Sequence, residues 1–487
     1  MNQSIKPWPA LWSLVIGFFM ILVDATIVSV AMPAIMTDLS AGITEAVWVT
    51  SAYLLAYAVP LLTTGRLGDR YGPKTIYLTG LVVFTLSSIW CGLSDSIEGL
   101  IVARVVQGLG ASMMTPQTMA VITRIFPPDR RGVAMGLWGA VAGIATLTGP
   151  MLGGLLVGAG GWEWIFFINV PVGVVAFILA FRLVPRLSTN RRRFDMLGVV
   201  LSAVGMFLLV FGIQEGETFD WGTIVGPITV WSLVIAGLVT LGVFLLWQRY
   251  KPKEPLIPLS LFSDRNFSLS NVAIATMSFA VTSMALPLML YAQGARGLTP
   301  LQAALLLVPM GILSGALAPV VGRLVDRTDP KYIAAVGYAC MSIGLAFLGL
   351  VITPDAPIWL LILPTLFLGV GNAGVWAPLA SSATRNLPPH RAGAGSGVYN
   401  TTRQVGAVIG SAAIAAMMSA RLGVYAPGVG PNAENVPVEL RDGFAKAMAE
   451  ALFLPAAVLC IGLVVVLFFA PPQHNEAVAE WKAAGRR

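Results

Sequence analysis

The sequence predicts an all-α integral membrane protein of fourteen transmembrane helices, built as two six-helix bundles with an extra pair of helices between them. Three observations carry this reading. The 487 residues are 56% hydrophobic and only 11% charged, with mean hydropathy +0.80. An ordinary soluble chain carries about 25% charge, and so few charges cannot cover a water-soluble body of this size. The apolar residues fall into fourteen long runs, each near the roughly 20 residues that a bilayer crossing needs. A charged stretch also occurs twice, as GRLGDRYGPK over Gly65–Lys74 and GRLVDRTDPK over Gly322–Lys331. Such a repeat marks a chain made of two related halves.

In order, the expected spans are 10–33, 46–65, 75–94, 99–122, 133–158, 164–182, 196–214, 223–247, 267–291, 300–321, 332–352, 357–380, 396–420 and 448–470. Helices follow because backbone groups in hydrocarbon must be bonded within the segment. A membrane barrel would show short alternating segments instead. The first run is read as a retained span, since Asp24, Thr26 and Pro33 interrupt it and no small-residue cleavage pattern follows. With the N-terminus inside, 24 of the 30 basic residues fall in inner segments and four in outer ones. That bias sets the orientation and puts both termini in the cytoplasm. The two charged copies follow spans 2 and 10, so spans 1–6 match spans 9–14 and spans 7 and 8 are the extra pair. The expected division is an N-terminal bundle at 1–184, a linker with the extra pair at 185–260 and a C-terminal bundle at 261–487. The basic linkers PRLSTNRRR and QRYKPKEP, at 185–193 and 248–255, flank that pair and suit anionic lipid headgroups. The outer loop at 421–447 is rich in Pro, Gly and Asn and is expected to be partly ordered.

Intramembrane charge is costly and marks function. Asp24 is the only acidic residue near the middle of a span, placed to load and release a proton, with Thr26 close by. Arg104 lies at a comparable depth in span 4, with Gln107 one turn along the same face. Asp69, set among Arg66, Arg70 and Lys74, can pair across helices or face a helix N-terminus, which favours its charge. Gly65, Gly68 and Gly72 suit a tight turn and close approach. Asp326 and Arg327 are the second-copy counterparts. There Asp329 replaces Gly72, which predicts a weaker second contact. The three cysteines, Cys91, Cys340 and Cys460, lie in apolar runs with no metal or disulfide spacing. No GxxxxGK[ST] loop is present, so ATP-driven pumping, enzymatic chemistry and cofactors other than protons are not expected. The net charge of +7 belongs to inner loops rather than to a nucleic-acid surface.

These residues carry a family resemblance. Gly65–Lys74 resembles the loop 2–3 signature of the major facilitator superfamily, and Arg104–Gly110, RVVQGLG, resembles its span 4 signature. GAVAGIATLTGPMLGG, with Gly139, Gly143, Gly149, Pro150, Gly153 and Gly154, resembles the span 5 antiporter signature. LVDATIVSVAMP at 22–33 resembles the span 1 signature of the fourteen-span drug:proton antiporters, with Ser29 and Met32 departing from its Asn and Leu. The resemblance implies a proton-coupled antiporter that exports hydrophobic or amphiphilic small molecules by alternating access. It implies a multi-pass, monomeric protein of the bacterial plasma membrane, whose partners are lipid, substrate and protons. Asp24 and Arg104 would couple the proton, and Asp69, Arg70 and Lys74 would hold an inner gate. Candidate cavity residues are Thr26, Tyr53, Tyr57, Gln107 and Asn271 in the earlier spans. In spans 12 and 13 they are Asn372, Trp376, Asn400 and Arg403. No second mid-span carboxylate is seen in the C-terminal half, which favours monovalent cations, neutral amphiphiles or anions over dications. The alternatives are a flippase for lipids or lipid-linked substrates and a proton-coupled peptide importer. The span 5 and Asp24 patterns speak against import.

Overall fold

The computed structural model describes residues 7–41, 43–127, 130–189, 195–216, 218–250, 255–388, 391–429 and 436–471. The first half contains α1 (Pro7–Asp38), α2 (Ile43–Ala58), α3 (Leu61–Tyr71), α4 (Pro73–Gly92), α5 (Ile97–Ile125), α6 (Arg131–Gly160), the short α7 (Trp164–Phe167) and α8 (Asn169–Leu183). Next come α9 (Met196–Gln214) and α10 (Val230–Tyr250). The second half holds α11 (Arg265–Leu290), α12 (Pro300–Leu305), α13 (Val308–Arg327), α14 (Pro330–Val351), α15 (Ile358–Thr384), α16 (Ala392–Tyr425), α17 (Arg441–Ala451) and α18 (Phe453–Leu467). Among the described residues, twelve helical stretches are long and apolar enough to cross a membrane.

The packing repeats with the sequence. In the first half α4 lies along α5, α2 on α5, α1 on α6, and α8 on both α1 and α4. In the second half α14 lies along α15, α13 on α15, α11 on α16, and α18 on both α11 and α14. Small residues permit the closest of these contacts. A β-carbon added to Gly110 of α5 would stand 2.6 Å from the Phe84 nitrogen of α4. The matching Gly371 of α15 is equally tight, with the Met341 nitrogen of α14 at 2.7 Å.

Three expectations need correction. The second expected span is not one continuous helix. Pro60, which has no N–H to donate, separates α2 from α3. The charged stretch expected as a turn is helical through Tyr71, and only Gly72 turns the chain, at φ +94°. Gly65 and Gly68 therefore serve close packing rather than the turn. The eighth span starts late: Thr223–Val225 and Ile228–Thr229 form a two-stranded hairpin, β1 and β2, and α10 begins at Val230. β-Branched residues on both sides of Gly226–Pro227 favour that hairpin over helix.

The pair α9–α10 is clasped at one end by Asp195. Its carboxylate caps α9 at Gly198 N (3.1 Å) and accepts from Trp247 Nε1 (3.0 Å) and Gln248 Nε2 (2.8 Å) of α10. On its other face α9 packs Met206 and Val210 against Leu55 of α2 and Val405 and Val408 of α16. One added helix thus touches both halves. The large apolar side chains left on the outside, such as Val239 and Leu246 on α10, match a hydrocarbon surround.

Replacing Gly110 by Val should lower the melting temperature of the purified protein, with a cost of about 1–3 kcal/mol for overpacking against fixed backbone. Gly154→Val is the control, since nothing stands within 4 Å of an added β-carbon there. Equal stability of the two variants would refute the packing account.

Candidate substrate and proton-coupling site

Four helices meet at Asp24 of α1, which has no solvent exposure. Its Oδ2 accepts from Arg104 Nη1 of α5 at 2.6 Å. Its Oδ1 accepts from Gln107 Nε2 at 2.9 Å and from Asn169 Nδ2, the first residue of α8, at 2.8 Å. Ser88 of α4 accepts from Asn169 at 3.0 Å and from Gln107 at 3.3 Å. Arg104 also donates from Nη1 to Gln107 Oε1 (2.7 Å) and from Nε to the Val49 carbonyl (3.2 Å). Its guanidinium lies 4.1 Å over the Tyr53 ring, a cation–π contact strengthened by desolvation. Both charges are thus met inside the bundle, as burial demands. Asp24 is the one carboxylate in this cluster, so a proton there would discharge the pair and leave Arg104 without its counter-ion. The expected Asp24–Arg104–Gln107 grouping is present. Asn169 and Ser88 were not anticipated, although Asn169 is the only side-chain amide in its apolar run.

The second feature is a pair of carboxylates, each at the N-terminus of a helix from the other half. Asp69, near the end of α3, accepts from Gly393 N and Ala394 N of α16, both at 3.0 Å. Asp326, near the end of α13, accepts from Gly132 N (2.7 Å) and Val133 N (3.1 Å) of α6. Helix N-termini offer unpaired N–H groups and favour negative charge. Gly65 allows the approach: a β-carbon on it would stand 2.5 Å from the Gly393 carbonyl. Arg124 Nη2 lies 3.0 Å from Asp69 and Arg66 Nη1 lies 3.8 Å away.

The second contact, expected to be weaker, matches the first in its amide bonds, while Arg124 at 3.0 Å and Arg66 at 3.8 Å stand beside Asp69. Asp326 makes the same two amide bonds as Asp69. Asp329 has φ −73°, so no left-handed glycine is needed there, and its side chain caps α14. Arg124 was missed as a clamp residue. The signal was available as a second repeat, TRIFPPDRRG at 123–132 and TRNLPPHRAG at 384–393. Its Arg385 lies in the field of Asp329 and Asp326. Lys74 instead ties α4 to α8 through the Phe181 carbonyl at 2.6 Å. Arg70 lies 5.2 Å from the Tyr71 ring centroid, and Arg327 is exposed at the end of α13.

The glycines of α6 divide between two neighbours. Gly139 packs on Trp376 of the second half, whereas Gly149 and Gly153 pack on Thr26 and Ile27 of α1. Gly154 faces open space. Gly143 and Pro150 belong to the same helix, and their side-chain surroundings lie outside the described residues. Only part of this motif therefore meets the opposite half.

A cavity of about 210 Å³ lies among α11, α13, α15 and α16 of the second half, bordered by Leu22 of α1. Asn372, Trp376 and Arg403 line it as expected, together with Gln404, Ser278 and Leu22. Trp376 Nε1 donates to Asn372 Oδ1 and Asn372 Nδ2 donates to Ser314 Oγ, both at 2.8 Å. The other cavity candidates stand off its wall. Tyr53 belongs to the Arg104 cluster, and its ring stacks near that of Tyr57 at 6.2 Å. Tyr57 bonds Thr115 (3.1 Å) and accepts from Arg403 Nη2 (3.3 Å). Thr26 donates to the Val23 carbonyl at 3.0 Å. Asn271 and Asn400 donate to the carbonyls of Phe267 and Ser396 on their own helices.

A helical fold rich in membrane-length apolar stretches, with a repeated half, a buried charge cluster and a polar-lined cavity, is that of a membrane transporter. Residues 14–411 match the Major Facilitator Superfamily model, and the chain belongs to that family. It is therefore a transporter and not an enzyme. It is 51% identical over 473 residues to an uncharacterised transporter of the superfamily from Mycobacterium tuberculosis, covering 95% of this chain and 81% of that one. It is 34% identical to the tetracenomycin C resistance and export protein of Streptomyces glaucescens, covering 87% and 78%. It is also 34% identical to the multidrug resistance protein Stp of M. tuberculosis, covering 84% and 75%. Among solved structures, the proton:xylose symporter XylE matches with a TM-score of 0.69 at 13% identity, covering 99% of this chain and 100% of that one. That likeness is one of fold.

Asp69→Ala should speed hydrogen exchange at the start of α16, because the Gly393 and Ala394 amides lose their acceptor. A loss of about 1–3 kcal/mol for charge-assisted bonds corresponds to roughly 5- to 150-fold faster exchange where local opening is a fast pre-equilibrium. Asp326→Ala should do the same at the start of α6. Unchanged exchange in both would sink the clamp.

Proposed function

We propose that this protein is a proton-coupled antiporter that exports hydrophobic or amphiphilic small molecules from a bacterial cell, a multidrug-type efflux pump. The observation that carries the reading is Asp24, unexposed and held by Arg104, Gln107 and Asn169 from two other helices. A carboxylate so placed is the natural carrier of a coupling proton. The relatives from Streptomyces and Mycobacterium are named for resistance, and the former also for export, which supports the direction of transport.

The reading includes fourteen spans. To the twelve long apolar stretches it adds α2 with α3, divided at Pro60, and α6. The spans form two six-helix bundles at 1–184 and 261–487, with the α9–α10 pair in the linker at 185–260. The charged loops face the cytoplasm together with both termini, which lie outside the described residues. The protein works as a monomer in the plasma membrane.

The reading includes a transport cycle that these contacts support. With Asp69 and Asp326 seated on the helices of the opposite half, the cytoplasmic side is shut. A proton arriving from outside neutralises Asp24 and frees Arg104 from its strongest partner. The first bundle then repacks, the carboxylates leave their helix ends, and the cavity opens inward. Substrate enters as the proton departs to the cytoplasm. Asn169 and Gln107 hold Asp24 in place through both protonation states, since each also bonds Ser88.

Purified protein in vesicles with an imposed pH gradient should move a fluorescent amphiphile against its gradient, and a protonophore should stop it. Asp24→Asn should insert normally and lose proton-driven transport at least tenfold while keeping passive exchange. Transport that is indifferent to the gradient, or Asp24→Asn protein that pumps normally, rules the reading out.

A further inference from the structure

We propose that Arg403 is an anion subsite, so that the cavity takes amphiphiles bearing one acidic group, whose charge replaces the Tyr57 hydroxyl as partner of the guanidinium. The proposal rests on the export reading and names the substrate class of that site. Arg403 is 8% exposed and lines the cavity. Among the described lining residues it is the one charged side chain, and none carries a carboxylate.

Its hydrogen bonding is thin for a buried cation. Nη2 donates to the neutral Tyr57 hydroxyl at 3.3 Å, and Nε has no partner. Charge-assisted bonds run about 2.7–2.9 Å, and a guanidinium offers five donors in a fork that fits a carboxylate. The neighbouring polar groups do not answer this charge. Asn372 is engaged by Trp376 and Ser314. A bound carboxylate or phenolate would meet the unspent donors, while Leu22, Val281 and Met310 take its apolar body. A ligand cation would meet like charge in a low-dielectric site instead.

The exchange of partners also reaches the proton site. Tyr57 stacks near Tyr53 with an interplanar angle of 20°, and Tyr53 carries the Arg104 guanidinium on its face. An acid that draws Arg403 away from Tyr57 therefore frees a ring three contacts from Asp24.

The test is equilibrium binding to the full chain in lipid nanodiscs, without a gradient. Three versions of each of several aromatic amphiphiles are compared: the carboxylic acid, its methyl ester and the corresponding amine. The acid should bind about tenfold more tightly than its ester, a charge-assisted bond's worth of affinity, and the amine more weakly than either. Arg403→Gln should erase the acid's advantage and leave ester binding within about twofold. Tyr57→Phe, which removes the competing hydroxyl, should tighten acid binding. Ester or amine binding as tightly as the acid in every set overturns the proposal. So does Arg403→Gln weakening all three alike. Where Arg403→Gln does not insert, weaker acid binding by Tyr57→Phe overturns it. An acid preference without proton-driven transport leaves the subsite standing and removes the export reading; export without an acid preference does the reverse.

Discussion

A charge removed from water must be answered by another group, and the contact between Asp24 and Arg104 is where this chain meets that demand most directly. Neither residue has any solvent exposure. Leaving either alone would cost about 3–5 kcal/mol, so the two positions constrain each other. The constraint spreads. Arg104 needs the Tyr53 face and the Val49 carbonyl, which sets α2 against α5. Asp24 needs Asn169, which sets the start of α8 against α1. The packing of the first half is therefore tied to one ion pair. A single proton on Asp24 is the smallest event that can alter all these contacts together.

The clamp solves the same problem by a different route. Asp69 and Asp326 are answered mainly by backbone amides at the starts of α16 and α6. Such bonds hold only while the two halves stand close, because the donors belong to the opposite half. They therefore report the relative position of the halves rather than the fold of either. The ion pair at Asp24 lies wholly within one half and can change without separating them. The two arrangements therefore differ in kind: the Asp24 cluster is closed within one half, and the Asp69 and Asp326 contacts join the halves.

The sequence made the family, the repeat and the Asp24–Arg104–Gln107 group legible because each rests on a rare residue in an apolar background. Charge in a span stands out, and so does a decapeptide that recurs. What it hid was geometry that such contrasts do not encode. The glycines from Gly65 suit both a turn and a close approach, and the structure divides the two uses: Gly65 packs on Gly393 within a helix and Gly72 makes the turn. Asn169 escapes notice because a lone amide is unremarkable until Asp24 and Ser88 are seen to converge on it. The chemistry of Tyr53 and Tyr57 was recognised but misplaced, since aromatic spacing gives the face of a helix and not what that face meets. Asp329 misled in the opposite sense. It looked like a damaged glycine, yet its backbone is extended and its side chain caps the next helix.

The added pair α9–α10 gains a meaning from where its linkers end. Arg124, which holds Asp69, also donates to the Ser188 carbonyl in the linker before α9, at 3.0 Å. Arg66, four residues along α5's neighbour α3 from Leu62, donates to the Pro255 carbonyl in the linker after α10, again at 3.0 Å. Both arginines around one clamp carboxylate are thus shared with the two strands of chain that carry the extra helices. Meanwhile α9 itself rests on Leu55 of α2 and on Val405 and Val408 of α16. A helix pair anchored to both halves and to the clamp cannot be indifferent to their separation. The insertion is thus tied to both halves through α9 and to the Asp69 contact through Arg124 and Arg66, so a change in any one of these contacts is felt by the others.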